Sequence, residues 1–164
     1  MLSRIFPKAF DNSYRGHWLG IWLFGLVVVV KLGQGANSLI NPHLVMSSAD
    51  GIPVDSFTGA AAATAIALFA LLGLYALILP LLGVLVLIRY RTMIPLMFVL
   101  FLIVQAASFV LRFAHPIARS ADYNAVPIGL YINIAFVAVM LIGLVLSVIG
   151  AGARMPSLTE GARP

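Results

Sequence analysis

Three polar side chains, Lys31, Gln34 and Ser38, interrupt the end of one long apolar run of this sequence, and Gln105, Ser108 and Arg112 interrupt another. Both trios are spaced i, i+3, i+7, which on a helix stacks all three residues on one face. Asn133 places a carboxamide within a further apolar run. Two cations among neutral hydrogen-bonding groups suit a carboxylate, a phosphate or a lipid headgroup, so these seven residues form the candidate ligand-binding set. Serine hydrolase, zincin, phosphate-loop and dinucleotide motifs are all absent from the sequence. The expectation is a protein that is not an enzyme and carries no cofactor.

His17, His43 and His115 raise a haem or metal reading, because neutral imidazole is the usual metal ligand in a chain without cysteine. His17 begins the first apolar run while His43 and His115 follow the first and third, so a hydrocarbon core of roughly 30 Å separates them. His43 and His115, with Asp50, Asp55 or Asp122, lack any diagnostic ligand spacing, and no metal site is expected. The lack of cysteine also rules out disulfides and thiolate ligands, and leaves the redox compartment open.

The elements that must carry these residues belong in a bilayer. Of 164 residues, 62% are hydrophobic and 9% charged, with a mean hydropathy of +1.09, whereas charged residues make up about a quarter of a soluble domain. The net charge of +5 would suggest nucleic acid in a soluble protein. Here the cations flank apolar segments and act as topology determinants, so the expected partners are membrane lipids and not nucleic acid.

In chain order, residues 1–17 form a basic segment in which Ile5, Phe6, Phe10 and Tyr14 are spaced for a short amphipathic interfacial helix. Trp18 to Val30 is apolar but too short to cross, so the first span runs to about Ile40 and carries Lys31, Gln34 and Ser38 into the membrane or its interface. A basic start, a short apolar core and nearby small residues also resemble a secretory signal peptide. Gln34 at the cleavage offset, the long charged region and the belt residues Trp18 and Trp22 argue for a segment that is retained. Asn41-Pro42 ends the span, and His43 to Ser56 reads as a turn-rich loop with Asp55 or Ser56 as the next N-cap.

The second span, 57–88, is long and contains Pro80, which predicts a kink. Its residues Gly59, Ala63 and Ala67 form a small-residue face expected to pack tightly on another helix. Arg89-Tyr90-Arg91 makes a tight basic connection to a third span, 93–114, with Pro95 in its first turn. A polar connection containing Arg119, Asp122 and Asn124 leads to a fourth span, 127–150, with a second small-residue series at Gly143, Ser147 and Ala151. Residues 152–164 are expected to be a disordered tail. The predicted fold is an all-α membrane protein, a four-helix transmembrane bundle over residues 18–151.

Orientation follows from the cations. With the N terminus inside, Arg4, Lys8, Arg15, Arg89, Arg91, Arg154 and Arg163 are inside, while Arg112 and Arg119 are outside. The positive-inside rule therefore predicts both termini in the cytoplasm and both polar stripes in the outer half. Arginine outnumbers lysine eight to two, which hints at a GC-rich bacterial genome and an inner-membrane location.

Function is expected to be that of a non-enzymatic membrane component packing against itself or another membrane protein. The alternative is a binder or transporter of a small anion or lipid, using an outer-facing pocket between the first, third and fourth helices. A bland account also fits: Lys31 and Arg112 snorkel to the headgroups, the glutamines bond neighbouring helices, and Asp55 neutralises Lys31.

The cation count predicts the outcome of reporter fusions. A reporter active only outside the cytoplasm should work when fused near Asp50 or Asp122 and fail near Tyr90 or after Gly150, and the reverse pattern would invert the topology.

Overall fold

The computed structural model describes residues 5–7, 10–116 and 128–149. Arg119, Asp122, Asn124 and the expected tail 152–164 lie outside the described residues. Each long apolar run forms a helix, because in hydrocarbon an unpaired backbone N–H or C=O costs on the order of several kcal/mol and a helix pairs them within one segment. Four helices are long and apolar enough to cross a membrane. They are α1 (Trp18–Ile40), α2 (Gly59–Arg89), α3 (Ile94–Ala114) and α4 (Ile128–Val148). No strand occurs among the described residues, and the chain is an all-α bundle.

Local chemistry sets the helix ends. His17 caps α1 by accepting the Leu19 N–H on Nδ1 at 3.3 Å. At the other end Pro42 pushes Asn41 out of helical geometry, to φ −122° and ψ 51°. The connection that follows is more ordered than the loop the sequence suggests. Pro42 restarts a helical turn as a first-position proline, and Val45–Ala49 continues it with wider hydrogen bonds. The chain then turns at Gly51, which takes φ 70°, a value that favours glycine. Neither Asp55 nor Ser56 caps α2: both lie in the short 3-10 turn Val54–Ser56, and the cap position falls to Thr58, whose side chain makes no capping bond. Asp55 instead meets His43 at 2.9 Å. The helix α2 runs unbroken through Pro80 for 31 residues, about 46 Å.

Residues 10–17 do not form the expected amphipathic helix. The segment is held across one end of the bundle by polar bonds that compete with helical ones. Asp11 caps its own turn by accepting the Ser13 N–H at 2.9 Å and the Ser13 hydroxyl at 2.6 Å, which holds the Asp11 carboxyl below the usual carboxylate range. Its N–H donates to Thr92 Oγ1 at 3.2 Å, and the Thr92 hydroxyl donates back to the Asp11 carbonyl at 3.0 Å. Farther on, the His17 N–H donates to the Leu146 carbonyl of α4 at 2.9 Å. Tyr14 packs against the edge of the apolar core, and burial pushes its phenol up to about 12.

Helix α2 lies along α1, α1 against α4, and α4 against α3; α2 and α3, although joined by the short Arg91–Met93 turn, touch little. The half of the bundle near that turn is filled by an apolar core, in which Phe24, Val27 and Val28 of α1 meet Val86, Ile94, Met97, Phe98 and Met140. Phe24 and Phe98 pack edge to face with centroids 5.3 Å apart, the arrangement that ring quadrupoles favour.

Close approach of α1 and α2 depends on glycines other than those expected. A Cβ added at Gly73 would lie 2.5 Å from the Leu39 backbone nitrogen, and one at Gly35 2.9 Å from the Leu77 side chain. Gly59, by contrast, has nothing within 4 Å of such an atom, and Ala63 and Ala67 are exposed. The expected small-residue face therefore packs on no other helix of the chain. At Gly73 the obstacle is backbone, which cannot rotate away. Gly73→Ala should accordingly lower stability by about 1–3 kcal/mol through overpacking, while Gly59→Ala leaves it unchanged; thermal unfolding of both variants in detergent checks this.

Candidate functional site

Lys31 and Gln105 sit near the middle of their helices. Counting from Trp18–Ile40 and Ile94–Ala114, each lies within about 3 Å of its helix midpoint at 1.5 Å per residue. The apolar core ends at this level. Lys31 does not snorkel: its ammonium donates to Gln105 Oε1 at 3.1 Å, on a side chain only 7% exposed. Gln105 in turn donates through Nε2 to Asn133 Oδ1 at 3.1 Å, so a chain of hydrogen bonds joins α1, α3 and α4. The Phe136 ring lies 5.4 Å from the Lys31 nitrogen and adds a cation–π contact.

Magnitudes show why Lys31 can stay there. A lysine at mid-bilayer costs about 2.5–3.5 kcal/mol on insertion scales. A hydrogen bond to a charged group returns about 1.5–3 kcal/mol, and a cation–π contact about 0.5–2 kcal/mol. Those two neutral contacts offset the cost of burial but leave the positive charge unneutralised. Among the described residues, no carboxylate pairs with Lys31. The expected neutralisation by Asp55 does not occur, because Asp55 is engaged by His43.

Above Lys31 the sparse contact between α2 and α3 becomes a cleft of about 450 Å³. Five of the seven candidate residues line it: Lys31, Gln34 and Ser38 from α1, and Gln105 and Ser108 from α3. The Ser108 hydroxyl is taken up by the Val104 carbonyl at 2.8 Å. The side chains of Gln34 and Ser38 make no hydrogen bond among the described residues, so both offer polar groups to the cleft. Asn133 stands one step behind, orienting Gln105. Arg112 is not part of the lining; it reaches toward the α1–α2 connection, where its Nη2 lies 3.5 Å from Asp50 Oδ1. Among the described residues the site thus holds one cation, where the sequence suggests two.

The walls also differ from expectation. Helix α4 lies behind the hydrogen-bond chain, and the wall facing α3 is α2, through Phe69, Leu72, Tyr75, Ala76, Leu79 and Pro80. Sequence reasoning passed over α2 because it carries no charge before Arg89. Pro80 is the one signal it contains. Proline has no N–H to offer the Ala76 carbonyl four residues back, and both residues line the cleft. The rim is apolar and open, with Leu72, Tyr75 and Val104 each more than half exposed, at 59%, 60% and 55%.

The histidines serve local structure. His17 caps α1, His43 pairs with Asp55, and His115 terminates α3. Among the described residues no three His, Asp or Glu side chains come together to hold a metal ion. No family model matches the chain, and neither the curated proteins nor the solved structures contain a match.

The hydrogen-bond chain predicts strong coupling between two positions. Gln105→Leu leaves the Lys31 ammonium and the Asn133 amide without their shared partner and should cost about 1–3 kcal/mol. Adding Lys31→Met removes the stranded charge and should recover part of that loss. Unfolding temperatures of the two single variants and the double variant measure the coupling, and strict additivity would mean the chain contributes nothing.

Proposed function

We propose that this protein is a multi-pass membrane protein that binds a small anionic amphiphile in the cleft between α2 and α3. The observation that carries this reading is Lys31, a cation without a carboxylate partner among the described residues, at the floor of a cleft with an exposed apolar rim. A site in hydrocarbon that keeps an ionisable group at such depth is a functional site by default. The polar floor would hold the head of the ligand, and the rim formed by Leu72, Tyr75 and Val104 would let its apolar part extend toward the lipid. We place the protein in a bacterial inner membrane with both termini cytoplasmic, on the cation distribution alone.

A second reading is favoured by one observation. Gly59, Ala63 and Ala67 are exposed at the start of α2, and small residues at this spacing let membrane helices approach closely. They would serve a second copy of this chain or another membrane protein, so the protein would act as a non-enzymatic component of an assembly.

Lipid analysis of protein extracted with its surrounding membrane tests the first reading. The wild type should retain an anionic amphiphile that Lys31→Met loses. Arg112→Gln should retain it, because Arg112 lies outside the cleft and pairs with Asp50. Equal retention by all three proteins would overturn the proposal.

A further inference from the structure

The geometry points to a single-chain carboxylate, a fatty acid entering sideways between α2 and α3, as the ligand of this cleft. This assignment rests on the reading of the cleft as a binding site and names the chemistry of its ligand. Three observations select it.

The first is charge. Among the described residues Lys31 is the only cation that lines the cleft, since the nearby Arg112 is turned to Asp50. A carboxylate carries one negative charge and is neutralised by one ammonium. A phosphate monoester carries about −1.5 to −2 at neutral pH, so part of its charge would stay uncompensated in a medium where unpaired charge is costly.

The second is depth. Lys31 lies within about 3 Å of the midpoint of a 23-residue helix, while the headgroups of a bilayer stand at the edges of a hydrocarbon core roughly 30 Å thick. A phospholipid would have to bring its headgroup, with two chains attached, through half of that core. A fatty acid brings only a small head on a single chain, with no second chain or bulky headgroup to carry to this depth.

The third is the distribution of polar groups and openings. Gln34 stands one helical turn above Lys31 and has no hydrogen-bond partner among the described residues, so its amide can donate to a second carboxylate oxygen. The exposed rim at Leu72 and Val104 lies on either side of the gap where α2 and α3 part. An acyl chain leaving through this gap passes directly into lipid.

The test uses the full-length protein in a neutral maltoside detergent and three probes with the same chain: oleate, oleyl alcohol and oleyl phosphate. Oleate should bind at least tenfold more tightly than either of the others, and Lys31→Met should reduce its advantage over the alcohol to within twofold. Ala76→Trp fills the cleft from an exposed position, and should weaken oleate binding at least tenfold with no change in unfolding temperature, which keeps the test decisive if Lys31→Met folds poorly. Alcohol or phosphate binding as tight as oleate would overturn the carboxylate and leave the cleft as a site for another amphiphile. Failure of all three probes to bind would overturn it as well, and Lys31-dependent retention of native lipid then decides separately whether the cleft binds anything.

Discussion

An ammonium group held in the middle of a hydrocarbon-spanning bundle is the constraint from which most of this structure follows. Lys31 sits far from the end of its helix, which continues nine residues beyond it to Ile40, about 14 Å at 1.5 Å per residue, and its side chain is turned inward onto Gln105. The bundle must then supply hydrogen-bond acceptors at that level, which it does through Gln105, with Asn133 fixing the orientation of the Gln105 amide. Neutral acceptors stabilise a cation without cancelling its charge. This separates the arrangement from a buried ion pair, in which the opposing charge would leave little to attract a ligand.

The same constraint divides the bundle into two halves. Toward the Arg91–Met93 turn, the four helices close over an apolar core of Phe24, Phe98, Met97 and Met140. Beyond Lys31, α2 keeps its contact with α1 through Gly35 and Gly73, and α3 keeps its contact with α4. With each of the two middle-turn helices committed to a different neighbour, nothing draws them together, and the cleft is the space left between them. The Asp11–Thr92 and His17–Leu146 bonds tie the N-terminal segment over the closed end. Polar contacts gather at the two ends of the bundle and at the floor of the cleft, and the lipid-facing surfaces of α2 are left to apolar side chains such as Leu68, Leu71 and Ile78.

Much of the site was legible in the residue spacing. Lys31, Gln34 and Ser38 share a face because a helix has 3.6 residues per turn, and the same geometry groups Gln105 with Ser108. Arg112 has the right spacing but a long side chain near the helix end, and the carboxylate of Asp50 on an adjoining segment draws it elsewhere. Spacing along one helix carries no record of such a competitor. Gly59, Ala63 and Ala67 misled for a related reason: small residues permit close approach but do not choose a neighbour, and the contact with α1 formed at Gly73.

The sequence by itself determined that the chain is helical and built for a bilayer, how many spans it has, and where they end to within a few residues. Those features depend on one segment at a time, because in hydrocarbon each segment must satisfy its own backbone hydrogen bonds. Only the tertiary structure decided which helices adjoin, that α2 forms the wall of the cleft, that Lys31 bonds to Gln105 and, among the described residues, to no acid, and that Arg112 is turned away from the cleft. Lipid tails are as apolar as the side chains that face them, so hydrophobicity does not select neighbours within a membrane. Selection falls to shape and to a few hydrogen bonds between residues as far apart in the chain as Lys31, Gln105 and Asn133.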